Sequence, residues 1–237
     1  MASVISMLNY KNQADRPVLV LVGLHESHLP ELEPEVASNA LGRCAEALAA
    51  ARSQQMPVAF VRCMTPPSSV SEPQAYPTWL KGFEPQRNDL VFDVLQPSCY
   101  SNAEFSRTMD YSEGNFVIAG LFADSTCLAT ALDAHHRRHS FTYLSDASTS
   151  RNNGTIPPAL FHDAISQVMS LYGAVAESPD WSLGLPQKRR RHGKPPGIAQ
   201  PAPGPSREIE ISGRHGFALE CRIILFRSAK SCFRVRA

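Results

Sequence analysis

A run of seven residues, VLVLVGL at positions 18–24, constrains the fold of this 237-residue chain more than any other feature. The run carries no polar side chain and directly follows Pro17. Its length and composition predict a strand that is buried on both faces. Such strands lie in the middle of parallel sheets, because crossover helices cover both faces of a parallel sheet.

Predicted strands and helices alternate through the rest of the first 185 residues. Further strands are predicted at 57–62, 90–95, 115–120, 141–144 and 174–177, and helices at 36–53, 104–109, 125–136 and 158–172. This alternation predicts a three-layer α/β/α fold, Rossmann-like, with a parallel central sheet and right-handed crossovers. Ligands of such sheets bind beyond the carboxyl ends of the strands, so we expect the chemistry just after residues 24, 95 and 120.

Composition excludes several classes of protein. No apolar run approaches the roughly 20 residues that span a bilayer, and no signal peptide is visible, so we expect no membrane association. Six cysteines are scattered without a C-x-x-C pair, which argues against a zinc ribbon and against a secreted disulfide framework. Reduced thiols and a cytoplasmic location are the simplest interpretation.

The formal net charge of +1 hides a strongly uneven distribution. Residues 186–237 hold 12 of the 23 Lys/Arg and only three of the 22 Asp/Glu, so this part carries +9 and the rest carries −8. Six prolines also fall between residues 186 and 205. We therefore predict an N-terminal extension over 1–16, one domain over 17–185, and a basic, Pro-rich, poorly ordered tail over 186–237. Only the tail offers a weak attraction for nucleic acid.

Four segments resemble the isochorismatase-like cysteine hydrolase family, which includes nicotinamidases and related amidases. They are residues 18–25, 98–105 (SCYSNAEF), 120–134 (GLFADSTCLATALDA) and 145–148 (SDAS). The third resembles the family's Gly-x-x-[Ala/Thr]-[Asp/Glu]-x-Cys pattern and its continuation. The resemblance implies an isochorismatase-like fold, hydrolysis of a small amide or ester without a cofactor, and assembly into a homo-oligomer.

The resemblance also implies a catalytic triad, but this sequence departs from it at each position. The family's Asp at the end of the first strand falls on Gly23, its Lys near the third strand falls on Val94, and its Cys falls on Thr126. Cys127 lies one residue later, and one step along a helix is about 100°, so its sulfur is expected to face the core. We therefore expect a weakly active or inactive member that keeps a pocket for a small-molecule ligand.

Two alternatives remain open. In the first, the chain is an active cysteine hydrolase whose nucleophile is Cys127 after a local register shift, with Asp124, Glu26 or His25 as the base. Thr126 is a weaker candidate nucleophile, and Asp124 is otherwise expected to cap the helix or to lie in the turn before it. In the second, the chain is an interaction protein that acts through oligomerisation and the basic tail.

The resemblance places a pocket around the same edge of the sheet. The residues expected to line it are His25, Trp79, Tyr100, Phe122 and Ala123. His25 and His28 have the spacing of a metal-binding pair, but no third ligand stands at a defined position, so no metal is predicted.

Overall fold

The computed structural model of the protein describes residues 16–67, 73–152 and 154–185. The strands are β1 (Val18–Val22), β2 (Val58–Cys63), β3 (Leu90–Val94), β4 (Asn115–Leu121), β5 (Ser140–Thr149) and β6 (Ala174–Ala176). The α-helices are α1 (Pro34–Ser53), α2 (Ala103–Tyr111), α3 (Leu128–His136), α4 (Pro158–Met169) and α5 (Ser178–Gly184). Shorter 3₁₀ turns cover Glu26–Glu31 and Cys99–Ser101, and a π-helical turn covers Ala123–Cys127.

The strands form one sheet in the order β3-β2-β1-β4-β5-β6, and every neighbouring pair is parallel. β1 lies inside the sheet, where Val20 is paired with Ala59 on one side and with Ile118 on the other. All five of its residues are buried. The predicted parallel sheet of a three-layer α/β/α fold is therefore confirmed.

Alternate side chains of β1 pack into two separate cores, because successive residues of a strand point to opposite faces. Val18, Val20 and Val22 join the core that also holds residues of α2 and α3. Leu19 and Leu21 join the core that holds residues of α1.

The expected strand at 141–144 is longer than the sequence pattern predicts. β5 pairs Tyr143 with Ile118 and then, after a register shift, pairs Ser148 with Gly120. The Ser148 hydroxyl accepts a hydrogen bond from the Gly120 backbone N–H at 3.1 Å. β5 thus continues with three extra residues, and this irregularity carries residues 148–151 to the carboxyl edge of the sheet.

Some sequence-based predictions concern residues that the structure does not describe. The tail at 186–237 lies outside the described residues, and so do residues 1–15 of the predicted N-terminal extension. Within the described ranges, no helix is both long enough and apolar enough to cross a bilayer.

Candidate active site

The carboxyl edge of the sheet brings together the three positions at which the triad was expected. Gly23 follows β1 and donates its backbone N–H to Val61 O at 2.9 Å. Val94 ends β3 and is paired with Cys63, the last residue of β2. Thr126 lies in the π-helical turn after β4, and its Oγ1 is 3.5 Å from Cys63 Sγ. The expected positions are therefore neighbours, but they carry no carboxylate, ammonium or exposed thiol.

The side chain of His28 fills the space beside Gly23. Gly23 has φ +62°, and a Cβ added there would lie 2.0 Å from Leu121 O and 2.9 Å from Cε1 of His28. The His28 ring donates from Nδ1 to Gly23 O at 2.9 Å. Burial is the main cause that lowers the pKa of His28, against the opposing effect of that backbone bond. The Leu121 carbonyl oxygen and a neutral imidazole therefore crowd the place where a side chain of residue 23 would begin.

Cys127 is buried in the turn that leads from β4 into α3. The Leu121–Phe122 peptide is cis, and Phe122 O then accepts a hydrogen bond from the Cys127 N–H at 3.2 Å. Its side chain is 0% exposed, in agreement with the expectation that the sulfur faces the core. Burial, followed by the nearby thiols Cys99 and Cys63, raises the pKa of Cys127 well above its ordinary value. The thiol is therefore protonated near neutral pH, and a protonated thiol is a poor nucleophile.

The thiol of Cys63 contacts the side chain at the expected nucleophile position, Thr126, and the sequence analysis missed it. Among the described cysteines it alone is partly exposed; Cys44, Cys99 and Cys127 are buried. Burial raises the pKa of Cys63, while the hydrogen bond to Thr126 lowers it in part. Its only sequence signal was its position after a predicted strand, which does not distinguish it from any other loop residue.

Asp124 lies in the π-helical turn, one of the two places expected for it, and holds the loop after β5 against the site without capping a helix. Its carboxylate accepts hydrogen bonds from the backbone N–H of Arg151 at 3.0 Å and from the guanidinium at 3.1 and 3.2 Å. The same guanidinium lies 5.1 Å from the ring centre of Phe122. The turn begins after Phe122 instead, without a side-chain cap. The hydrogen bonds that the Asp124 carboxylate accepts thus come from Arg151.

Asp124→Asn is expected to lower the free energy of unfolding by about 1–2 kcal/mol, because the hydrogen bonds to Arg151 lose their charge. Equilibrium urea unfolding measures this loss. Glu46→Gln is the matched control: it removes a carboxylate from an exposed pair with Arg43 and should leave the free energy of unfolding nearly unchanged. Equal losses in the two variants would contradict a structural role of Asp124.

Four of the five expected pocket residues lie near this edge, and one does not. His25 and Trp79 form an isolated β-bridge, and the ring of Phe122 lies 4.6 Å from the ring of His28. Ala123 is buried in the turn. Tyr100 lies elsewhere.

The side chain of Tyr100 packs into the core instead of the expected pocket. Its ring contacts those of Phe105 and Phe116, and its hydroxyl is 2.7 Å from Nδ1 of His139. The 3₁₀ turn at Cys99–Ser101 directs the ring inward. The sequence analysis missed this direction because an aromatic residue in a turn gives no sign of which way it points.

The two histidines after β1 lie close together, with ring centres 3.8 Å apart. Nδ1 of His28 is bound to Gly23 O, and Nδ1 of His25 is 2.8 Å from the Ser27 hydroxyl. Burial, then the charges of His28 and Arg62, lowers the pKa of His25 to about 4. Within the part of the chain that the structure describes, no three His, Cys, Asp or Glu side chains form a group that could hold a metal ion.

Two surface depressions lie beside the site without reaching its centre. One, of about 520 Å³, is lined by residues 30–33 together with Asn152 and Gly154. The other, of about 480 Å³, lies between Asp93 at the end of β3 and the first turn of α2. Neither is lined by Thr126 or Cys127.

The family model for the isochorismatase domain matches residues 17–178, about two thirds of the chain. No curated protein matches the chain. Solved structures with the same fold include an isochorismatase from Pseudomonas putida KT2440, with 20% identity and a TM-score of 0.61 over 70% of this chain and 90% of that one. A cysteine hydrolase from Pseudomonas syringae pv. phaseolicola has 15% identity and a TM-score of 0.63, over 72% and 92% of the two chains. N-carbamoylsarcosine amidase from Thermoplasma acidophilum has 20% identity and a TM-score of 0.57, over 69% of this chain and 96% of that one.

Proposed function

This chain belongs to the isochorismatase family, and from that premise we propose that it has lost the cysteine-dependent hydrolysis of the fold and retains the carboxyl edge of its sheet as a binding site for a small molecule. Activity on amides or esters is then weak or absent. The domain over residues 17–185 carries the site.

The observation that carries this proposal is the burial of Cys127. A cysteine nucleophile reacts as the thiolate, and its pKa must be lowered by a nearby cation or base. The groups that act on Cys127 are three other thiols and Asp124, all of which raise its pKa further. No basic side chain is among them.

The base and cation positions support the same conclusion. Gly23 has no side chain, and the space next to it holds the imidazole of His28, which is hydrogen-bonded to the carbonyl of Gly23. Val94 is buried and apolar. Restoring one of the three groups, the base, the cation or the nucleophile, would therefore leave the other two absent.

Alkylation of the native protein by iodoacetamide, mapped by peptide mass at about pH 6 and about pH 8.5, tests the proposal. We expect Cys63 to be labelled first among Cys44, Cys63, Cys99 and Cys127, and only at the higher pH, because it alone of these four is partly exposed. Cys127 should be labelled only after unfolding. Cys221 and Cys232 lie outside the described residues and are scored separately.

Fast labelling of Cys127 at the lower pH would overturn the proposal and support the alternative of an active cysteine hydrolase. A parallel assay compares the protein with Cys127→Ala on a panel of small amides and esters. Equal turnover in the two proteins is the expected result. A loss of about tenfold or more in the variant would restore Cys127 as the nucleophile.

Location and assembly belong to the proposal as well. Free thiols at all four described cysteines support a reducing, cytoplasmic location. The homo-oligomer that the family resemblance implies is proposed on that resemblance alone. An interaction role of the basic tail stays a prediction, since it concerns residues 186–237.

A further inference from the structure

A guanidinium stands at the carboxyl end of β2, on the face of the sheet opposite to Cys63. Arg62 donates from Nε to Asp93 at 2.9 Å. Its Cζ lies 4.9 Å from the ring centre of Tyr76 and 5.2 Å from that of Trp79. The side chain is 18% exposed and so is neither fully solvated nor fully enclosed. Two aromatic faces and one carboxylate therefore hold the guanidinium in a fixed orientation, with its terminal nitrogens outside the bond to Asp93.

A buried imidazole with an unmet hydrogen-bonding atom lies beside this guanidinium. His25 is 1% exposed, and its Nε2 has no hydrogen-bond partner among the described residues. The backbone of His25 is bridged to Trp79, on whose ring Arg62 lies. A buried polar atom without a partner is costly, so a native structure that keeps one calls for a reason such as a ligand.

We infer that Arg62 and His25 form a subsite for the carboxylate of a small molecule, with Trp79 and Tyr76 beside its apolar part. The inference rests on the proposed function and names the chemical class of its ligand.

The hydrogen-bond donors of Arg62 and His25 explain why the expected ligand is an anion. The Arg62 guanidinium only donates hydrogen bonds, and a carboxylate only accepts them. His25 supplies the second donor when the Ser27 hydroxyl donates to Nδ1, because Nε2 then carries the proton and has no acceptor among the described residues. Burial, His28 and Arg62 lower the pKa of His25 to about 4, so the imidazole is neutral near neutral pH and serves as a donor without a second positive charge.

A loop covers the subsite and sets the route to it. Thr78 O accepts a hydrogen bond from the Glu26 N–H at 2.9 Å, and the Leu80 N–H donates to Leu24 O at 3.0 Å. These bonds hold the segment with Trp79 over His25. Tyr76, whose ring lies 4.9 Å from the guanidinium, is 60% exposed, so the side of Arg62 that carries this ring faces solvent.

Calorimetric titration of the full-length protein with benzoate, and separately with benzamide, tests the inference near neutral pH. Benzoate is expected to bind with a Kd of about 1 mM, and benzamide, which lacks the charge, at least about tenfold more weakly. Arg62→Gln should weaken benzoate binding by at least about tenfold. Arg52→Gln is the matched control, since it breaks a similar ion pair with Asp89 at the opposite end of the sheet and should leave binding unchanged.

Nuclear magnetic resonance of the unsubstituted protein gives a readout that does not depend on the folding of a variant. Benzoate should shift the Nε2 resonance of His25 and leave those of His135 and His136 unchanged. Absence of benzoate binding, equal binding of benzamide, equal binding by Arg62→Gln, or an unmoved His25 resonance would each overturn the inference. Benzoate binding and the alkylation of Cys127 are measured separately. Failure of the carboxylate subsite is therefore distinguished from failure of the proposed function, which fast labelling of Cys127 would show.

Discussion

Gly23→Ala is expected to lower the free energy of unfolding by about 3 kcal/mol, which combines left-handed backbone strain with overpacking. The backbone at Gly23 has φ +62°, and the added Cβ would lie 2.0 Å from Leu121 O, a backbone atom that cannot move aside alone. It would also lie within 3.0 Å of two atoms of the His28 ring. Equilibrium urea unfolding measures the change.

Gly154→Ala separates strain from crowding. Gly154 has φ +73°, but a Cβ there meets no atom within 4 Å, so only the conformational cost of about 1 kcal/mol is expected. If the two variants lose the same free energy of unfolding, no atom crowds a side chain at position 23. The ring of His28 then does not take the place of that side chain. Gly23→Asp should be at least as destabilising as Gly23→Ala, and so should not restore hydrolysis.

Phe105→Ala is expected to lower the free energy of unfolding by about 4 kcal/mol, because it leaves a cavity in the core between the sheet and α2. The ring of Phe105 is 0% exposed and lies edge-on to Phe92 at 5.4 Å and to Tyr100 at 5.1 Å. Each aromatic pair adds roughly 1 kcal/mol beyond the area that it buries. Thermal or urea unfolding is the measurement.

Tyr111→Ala is the control on the same helix. Tyr111 is 56% exposed, so its loss should cost less than about 1 kcal/mol. A loss at Phe105 no larger than that at Tyr111 would mean that the helix is not held by this aromatic core. Such a result would also remove the reason why Tyr100 turns away from the carboxyl edge.

At the carboxyl edge, the strand arrangement of the family fold is kept, and the three positions expected to be catalytic hold Gly23, Val94 and Thr126. The sheet still brings residues 23, 94 and 126 to one edge, as the resemblance requires. At that edge, Asp124 forms an ion pair with Arg151, and the imidazole of His28 lies beside Gly23.

The sequence alone determined the order of strands and helices, because hydrophobic periodicity is a local property. The apolar run at β1 was sufficient to predict a central parallel strand, and the motif around Thr126 was sufficient to identify the family. The absence of side-chain chemistry at Gly23 and Val94 was also readable, since no structure can add a carboxylate or an ammonium to those residues.

Only the tertiary structure decided which side chains occupy the site. The contact between Cys63 and Thr126 joins residues 63 positions apart, and the bond between Asp124 and Arg151 depends on the three extra residues of β5. Likewise, the partner of the Tyr100 hydroxyl lies 39 residues away. Such contacts depend on the strand order and on the register of the sheet, which arise from the packing of the whole domain, whereas a sequence pattern reports only on the neighbours of each residue along the chain.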